Sequence, residues 1–285
     1  MEKWIDVKGI SKTFGTQKAV SDISFTVRPG QVIGLLGHNG AGKSTLIKAL
    51  LGMLHYEGEI EVMGLSPQQH RAKLMESIAY ISDVSALPSW MTVKQCLDYV
   101  SGVHPQFSLE KAQQYLADTD IKQTVKISQL SKGMKVQFHL AVVMATDAKV
   151  LIFDEPTLGL DLIYREKLYA KLQAWLEEST RALIIASHEV SEIEHLLTDV
   201  IVLKQGKMVL KSSMAELETN YSTVLVDNEN YSRAESLSPI YIRKEREQTR
   251  MIFENLASDQ LKAFSQVCRT SLAELFIAKQ VGLEK

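Results

Sequence analysis

GHNGAGKST, at residues 37–45, joins an apolar run at 31–36, which predicts a strand, to a segment at 43–51, which predicts a helix. The stretch fits the pattern G-x-x-x-x-G-K-[ST] in the structural context that this pattern requires. Its glycines allow the backbone to curl around phosphate oxygens, and the following helix adds the positive end of its dipole. The sequence therefore predicts a phosphate-binding loop, called the P-loop below. A glycine-rich turn with an incidental lysine is the alternative, which the flanking elements disfavour.

The residue types in the P-loop suit contact with ATP. Lys43 is expected to contact the β- and γ-phosphates as a point charge, and the hydroxyl of Ser44 is expected to ligate Mg²⁺. The residues that we expect to bind the nucleotide here are Gly37, His38, Asn39, Gly40, Ala41, Gly42, Lys43, Ser44 and Thr45.

A pair of carboxylates follows a second apolar run, at residues 150–153. Ligand groups in open parallel sheets gather at the carboxyl ends of strands, where Asp154 and Glu155 would lie. We expect Asp154 to hold Mg²⁺ from its second side and Glu155 to act as the general base on the attacking water. The alternative is two acids at an ordinary surface junction, and the P-loop upstream favours the functional interpretation.

The order of segments predicts an α/β fold around a largely parallel sheet. Apolar strands at 150–153, 183–186 and 200–203 are separated by helical patterns at 161–177 and 189–197. Residues 5–10 and 20–27 alternate apolar and polar side chains, which indicates an antiparallel β portion near the N-terminus. Residues from about 83 to 147 form helical patterns and are interpreted as a helical insertion.

Composition limits the classes of protein to which the chain can belong. Its 285 residues are 45% hydrophobic with a formal net charge of -2, which describes a globular protein and gives no support for nucleic-acid binding. Cys96 and Cys268 lie far apart without metal-ligand spacing, as in a reducing compartment. The sequence has neither a signal-like start nor the roughly 18 uninterrupted apolar residues of a membrane helix. We therefore expect a cytoplasmic protein, to which another chain would supply any pore.

Four shorter motifs accompany the P-loop and the acidic pair. LSKGM at 130–134 precedes a predicted helix, LGLD occupies 158–161, His188 lies within ASHE, and Phe14 precedes a glycine. In this order they resemble the ATP-binding cassette of ABC transporters, over about residues 5–210. The resemblance implies a P-loop NTPase fold that binds and hydrolyses ATP with Mg²⁺.

The resemblance also implies a role for each motif. Ser131 and Gly133 would face the γ-phosphate bound by the opposite subunit, and LGLD would be the D-loop that crosses the dimer interface. His188 would be the switch histidine near the γ-phosphate, and Phe14 would stack on adenine. Two alternatives stay open, because His188 could cap a helix and Phe14 could be a core aromatic at a strand end.

The chain departs from the family pattern at three positions. LSKGM has Lys132 and Met134 where the family signature LSGGQ has glycine and glutamine. Asp83 stands where the glutamine of the Q-loop is expected. Its carboxylate could reach Mg²⁺ through a water, and we expect altered coupling or rate with ATP binding intact. Alternatively, the loop lies one or two residues away.

The resemblance further implies a domain organisation and partners. Residues 1–219 would form the cassette, with the insertion at about 83–147, and residues 220–285 a small C-terminal α+β extension. Since the extension contains none of the motifs, we expect truncation near Tyr221 to leave a folded domain that binds ATP. The implied partners are a second ABC subunit, identical or different, and integral-membrane permease subunits on separate chains. The chain would then lie peripherally on the inner face of the cell membrane.

Two kinds of function fit the motifs. The first is energising transport, with export indicated by LSKGM and the terminal SLAELF at 271–276, which look like bacterial exporter subunits. The second is a non-transport ABC-type ATPase. Such translation factors carry two cassettes, and repair or chromosome ATPases carry a long coiled coil before the signature, whereas this sequence shows neither. A metabolic kinase would leave the signature, D-loop and histidine unexplained.

One short segment of the insertion is a candidate for docking the permease. Leu87, Trp90 and Met91 would form this surface, or they would be buried in the core of the insertion itself.

Overall fold

The computed structural model describes residues 2–82, 87–155, 162–178, 180–246, 248–261, 264 and 266–282. In chain order the strands are β1 (Ile5–Phe14), β2 (Gln17–Val27), β3 (Val32–Leu36), β4 (Glu57–Val62), β5 (Ile78–Ser82), β6 (Val150–Asp154), β7 (Ala182–Ser187), β8 (Asp199–Lys204), β9 (Lys207–Ser213), β10 (Tyr221–Val226), β11 (Tyr241–Lys244), β12 (Thr249–Glu254) and β13 (Val267–Arg269). The helices are α1 (Lys43–Leu50), α2 (Pro67–Leu74), α3 (Val93–Val103), α4 (Leu109–Ala117), α5 (Lys132–Met144), α6 (Leu162–Glu178), α7 (Val190–Ile193), α8 (Met214–Asn220), α9 (Tyr231–Glu235), α10 (Ser258–Leu261) and α11 (Leu272–Val281), with 3-10 turns at Ile127–Gln129 and Glu194–Leu196.

A six-stranded sheet lies at the centre of the molecule, in the order β5-β6-β7-β3-β8-β9. Neighbouring strands are parallel from β5 to β8, and β9 is antiparallel to β8. Every residue of β3, β6 and β7 is buried, which explains why these strands are apolar runs without alternation. Residues of one sheet face pack with α5, α6, α7 and α11, and those of the other face pack with α1 and with β1, β2 and β4. The predicted α/β class with a largely parallel sheet is confirmed.

The antiparallel portion predicted near the N-terminus is a three-stranded sheet in the order β2-β1-β4. The sequence analysis misses β4 because its first three residues are exposed and three of its six residues are Glu. It also misses β9, which pairs with β8 through a turn at Gln205 and Gly206. These two residues have φ of 49° and 77°, as a tight hairpin turn requires.

The region predicted as a helical insertion contains α3, α4, a 3-10 turn and α5 within residues 87–147. These elements share an apolar cluster that includes Val93, Leu97, Leu116 and Phe138. The other side of α5 joins the core of the central sheet, for example through Leu140. The insertion is therefore anchored on the sheet by the helix that follows LSKGM.

The residues after Asn220 form a second antiparallel sheet, in the order β11-β12-β10-β13, and the helix α11. The side chains of Leu272, Leu275 and Phe276 are buried in the same apolar cluster as residues of α7 and β8. This packing argues against the expectation that truncation near Tyr221 leaves the fold intact. The residues against which α11 packs, in α7 and β8, are remote from it in sequence. The sequence of residues 272–281 alone therefore does not show where this helix packs.

Within the described residues, no helix combines the length and the apolar character that crossing a bilayer demands.

Candidate functional site

The P-loop joins β3 to α1, and two of its glycines lie where no side chain fits. Gly42 has φ of 108°, and a Cβ there would lie 2.6 Å from the carbonyl oxygen of Ala19. A Cβ at Gly37 would lie 2.8 Å from the carbonyl oxygen of Leu203. Both distances are shorter than real contacts, so the loop needs glycine at each position because neighbouring backbone approaches it closely.

Lys43, the first residue of α1, is buried at 5% exposure, unlike most lysines. Its Nζ donates to the carbonyl oxygen of Gly37 at 2.6 Å and forms an ion pair with Glu155 Oε1 at 3.2 Å. The ammonium group is therefore held inside the turn of the P-loop, where phosphate oxygens would meet it.

Ser44 and Asp154 face each other across the strand-helix junction. The hydroxyl of Ser44 donates to Asp154 Oδ1 at 3.4 Å, and Tyr80 Oη lies 3.5 Å from Asp154 Oδ2. Burial raises the pKa of the Asp154 carboxyl above its ordinary value, and the hydrogen bond from Ser44 offsets part of this rise. A hydroxyl and a buried carboxylate are oxygen donors of the kind that Mg²⁺ takes, so these residues fit the ion. A cation here would favour the ionised carboxylate.

Tyr80 is a site residue that the sequence analysis does not identify. It lies on β5, whose residues pair in register with β6, so that Ser82 is beside Asp154. This contact depends on which strand neighbours β5 in the sheet, so the sequence carries no signal for it.

Glu155 and His188 lie at the carboxyl ends of the adjacent strands β6 and β7. His188 Nδ1 is 2.9 Å from Glu155 Oε2, and the backbone N–H of Glu155 donates to the carbonyl oxygen of Ala186 at 3.0 Å. Glu155 has φ of 55°, a left-handed conformation that costs a non-glycine residue energy. Glu189, not His188, occupies the N-cap position of α7, so the helix-capping alternative for His188 is wrong.

The P-loop forms one wall of a cleft of about 430 Å³. Its lining includes the predicted residues Phe14, His38, Asn39, Gly40, Gly42, Lys43, Ser44, Thr45 and Glu155. Phe14 is 52% exposed, with Lys12 Nζ 5.0 Å from its ring centroid, so it is not a core aromatic and one ring face can accept a planar ligand. Gly37 and Ala41 belong to the loop as buried backbone positions.

Four lining residues were not predicted: Gln17, Lys18, Ala19 and Gln205. They reach the cleft because the β1-β2 hairpin and the β8-β9 turn pack on the P-loop. Gly206 links them, since its N–H donates to the carbonyl of Ala41 and its own carbonyl accepts from Ser21. These contacts join segments that are remote in sequence, so no local pattern indicates them.

Ser131 and Gly133 lie apart from this cleft, at the N-terminus of α5. Ser131 is the N-cap of α5, and its Oγ accepts from the N–H of Met134 at 3.2 Å. A Cβ at Gly133 would meet the ring of Tyr164 at 3.5 Å, an ordinary contact. Among the described residues that line the cleft, none belongs to α5.

Two predictions fall outside the described residues: Asp83 and the D-loop at 158–161. The three residues of the insertion that are candidates for docking the permease differ in exposure. Trp90 is 69% exposed, whereas Leu87 and Met91 pack partly buried against the core of the insertion.

Comparison with known proteins identifies the same family that the motifs resemble. The ABC transporter family matches residues 20–158. The Nod factor export ATP-binding protein I of Rhizobium sp. (strain N33) is 34% identical over 217 residues, which covers 73% of this chain and 70% of that protein. The chain belongs to the ATP-binding proteins of ABC transporters. As a member of this family it binds and hydrolyses ATP and serves a transporter together with membrane permease components.

Two further relatives cover more of the chain. The ABC transporter ATP-binding protein YhcH of Bacillus subtilis (strain 168) is 26% identical over 292 residues, which covers 97% of this chain and 96% of that protein. The structure of cbiO1 from Clostridium perfringens, part of the ABC transporter complex cbiONQ, is 25% identical with a TM-score of 0.66. It covers 84% of this chain and 96% of cbiO1.

Proposed function

We propose that this ABC ATPase energises export through a separate membrane permease, by closing with a second ABC subunit around two bound Mg-ATP molecules. Lys43 would contact the β- and γ-phosphates, and Ser44 and Asp154 would hold Mg²⁺. Glu155 would accept the proton of the attacking water, oriented by His188. Mg²⁺ would supply the positive charge that the departing phosphate oxygens need.

The observation that carries these roles is the continuous set of contacts at the ends of β6 and β7. Lys43 and His188 each hold one oxygen of Glu155, at 3.2 Å and 2.9 Å, and Ser44 holds the neighbouring Asp154. A phosphate-binding lysine thus contacts an oriented base, and the carboxylate that would bind the metal is the residue just before that base in the chain, an arrangement that suits nucleotide hydrolysis.

The remaining contacts are assigned by position. The backbone of residues 37–45 would surround the phosphates, and Phe14 would stack on adenine. Asp83 would contact Mg²⁺ through a water. Ser131 and Gly133, which lie outside this chain's own cleft, would bind the γ-phosphate held by the partner subunit.

The direction of transport is inferred from relatives and from two motifs. The relatives named for Nod factor export share about 34% identity with this chain, and LSKGM with the terminal SLAELF is similar to exporter subunits. We place the chain on the inner face of the cell membrane, with Trp90 as a contact for the permease because its large ring is left in solvent.

The experiment pairs this chain with a candidate multi-span permease from the same cell, sought first among the products of neighbouring genes. The two are co-expressed, and inside-out membrane vesicles are tested for ATP-dependent uptake of amphiphilic dyes and lipids, with Glu155→Gln as the inactive control. Trp90→Ala should lose co-purification with the membrane protein while keeping the ATPase rate of the isolated chain. Tyr99→Ala, which removes another exposed aromatic ring from the insertion, is the control and should keep both co-purification and the ATPase rate. Failure of the unsubstituted chain to co-purify with the membrane protein, or uptake into right-side-out vesicles only, would contradict the proposal.

A further inference from the structure

The helix α11 is fixed in place at its N-terminus by polar contacts. Ser271 and Glu274 form a capping box, and the N–H of Leu272 donates to Glu194 Oε1 at 2.9 Å. Arg250 of β12 donates to Glu274 Oε1 at 2.7 Å. The helix is therefore tied both to the turn after α7 and to the C-terminal sheet.

The middle of α11 reaches the P-loop. The ring of Phe276, 6% exposed, lies against the ring of His38, with centroids 5.4 Å apart and planes tilted by 53°. Gln280 Nε2 donates at 2.8 Å to the carbonyl oxygen of Leu203, a hydrogen bond that is buried. That same oxygen is the atom a Cβ at Gly37 would meet at 2.8 Å. One helix thus contacts His38 and also the backbone that packs against Gly37.

His38 belongs to the turn of the P-loop and lines the nucleotide cleft, whereas Phe276 does not line it. The carbonyl of His38 accepts from the N–H of Ala41 at 3.0 Å, so the conformation of His38 is linked to the turn that presents N–H groups to phosphate. The His38 side chain is exposed, so little else around it restricts its rotation. Contact with the ring of Phe276 reduces the number of rotamers that His38 can adopt.

We propose that Phe276 is a positioning residue for the P-loop, through which the C-terminal extension sets the affinity for ATP. A loop that is already ordered binds its ligand more tightly, because less conformational entropy is lost on binding. Glu155 and His188 are held by β6 and β7, so the chemical step does not depend on this contact. Loss of the Phe276 ring weakens ATP binding and leaves turnover at saturating ATP unchanged.

If Phe276 had a purely structural role, its replacement would lower stability without a specific effect on the affinity for ATP. Phe276 is part of the core, and shrinking it would lower stability in any case. Leu275, the neighbouring residue, is buried at 1% exposure in the same cluster and provides the matched control. Phe276→Leu keeps an apolar side chain in place and removes the ring, and Leu275→Val removes bulk from the core without touching the ring pair.

The test measures equilibrium binding of Mg-ATP and steady-state hydrolysis for the full chain carrying Phe276→Leu, Leu275→Val, His38→Ala and the double change Phe276→Leu with His38→Ala. We expect Phe276→Leu to raise Kd and KM about three- to tenfold, the range that an aromatic pair contributes, with kcat within about twofold of wild type. Leu275→Val should lower the Tm and leave Kd unchanged.

The double change decides between positioning and packing. With His38 already replaced by Ala, Phe276→Leu should raise Kd less than twofold further, because the ring no longer has a partner. The same factor in both backgrounds, an unchanged Kd for Phe276→Leu, or an equal rise in Kd for Leu275→Val would overturn the proposal. Since His38 is exposed, its replacement gives a folded background for the comparison.

Discussion

Lys43 Nζ and Glu155 Oε1 lie 3.2 Å apart, so the cation assigned to the phosphates is paired with the carboxylate assigned as general base. The second oxygen of Glu155 faces His188 at 2.9 Å. A γ-phosphate placed beside Lys43 would therefore compete with Glu155 for the same ammonium group. Phosphate binding and the orientation of the base are therefore coupled through Lys43. Substitutions at Lys43 and at Glu155 separate the two effects.

Lys43→Ala is expected to weaken Mg-ATP binding about 10- to 100-fold, because a charge-assisted contact to phosphate is lost. The change also leaves the partly buried Glu155 carboxylate without its cation, so some loss of stability should accompany it. Binding is measured by titration with a fluorescent ATP analogue. Lys48→Ala, on the exposed side of the same helix, is the control and should bind normally. Near-normal affinity in a folded Lys43→Ala protein would contradict the site.

Glu155→Gln is expected to bind ATP normally and to hydrolyse it about 10²- to 10⁴-fold more slowly, because an amide cannot accept the proton of the attacking water. Steady-state phosphate release measures this effect. Glu177→Gln, which neutralises an exposed carboxylate of α6 outside the site, should keep the wild-type rate. If Glu155→Gln retains more than about a tenth of wild-type turnover, the base is a different residue.

Asp154→Asn should abolish the response to Mg²⁺ without unfolding the protein. Burial raises the pKa of the Asp154 carboxyl in the folded protein. The folded state is therefore destabilised as the pH rises through this pKa and the carboxyl ionises. The amide of Asn carries no charge and removes this cost. We therefore expect a Tm at pH 8 equal to or above that of wild type. The comparison of ATP affinity with and without Mg²⁺ is the measurement.

The raised pKa of Asp154 also predicts how Mg²⁺ binding depends on pH. Wild-type Mg²⁺ binding should begin to weaken on acidification at a higher pH than the ordinary aspartate value of 3.8 implies. A lower Tm for Asp154→Asn at pH 8, or an intact Mg²⁺ response, would argue against the metal assignment.

Truncation after Asn220 is expected to prevent stable folding. It would remove Leu272, Leu275 and Phe276 from the core, and burial of each such side chain is worth about 1.5–3 kcal/mol against a typical total stability of about 5–15 kcal/mol. Thermal unfolding by circular dichroism measures the effect. A chain that ends after Gly282 keeps α11 and should unfold as wild type does. A cooperative transition within a few degrees of wild type in the shorter chain would show that the cassette folds without its extension.

The sequence predicts local features of this protein well because their causes are local. The P-loop pattern, the apolar runs of β3, β6 and β7 and the helix that follows LSKGM each arise from neighbouring residues. Contacts between remote segments are not predictable in this way. Tyr80 beside Asp154 depends on strand order, and Phe276 against His38 depends on where α11 packs.

In the proposed mechanism one chain supplies only part of each catalytic site, since Ser131, the N-cap of α5, lies outside the cleft that contains Lys43 and Glu155. ATP would then bind the closed dimer better than the open pair and shift the equilibrium by that difference in affinity. Sedimentation velocity of Glu155→Gln tests this directly, in Mg-ATP and in Mg-ADP, alone and with Ser131→Arg added. Ser128→Arg places the same side chain on an exposed position nearby and is the control. A shared site should give a dimer in Mg-ATP that Mg-ADP and Ser131→Arg both weaken and Ser128→Arg does not. A monomer under every condition, with the permease present as well, would rule out the shared site.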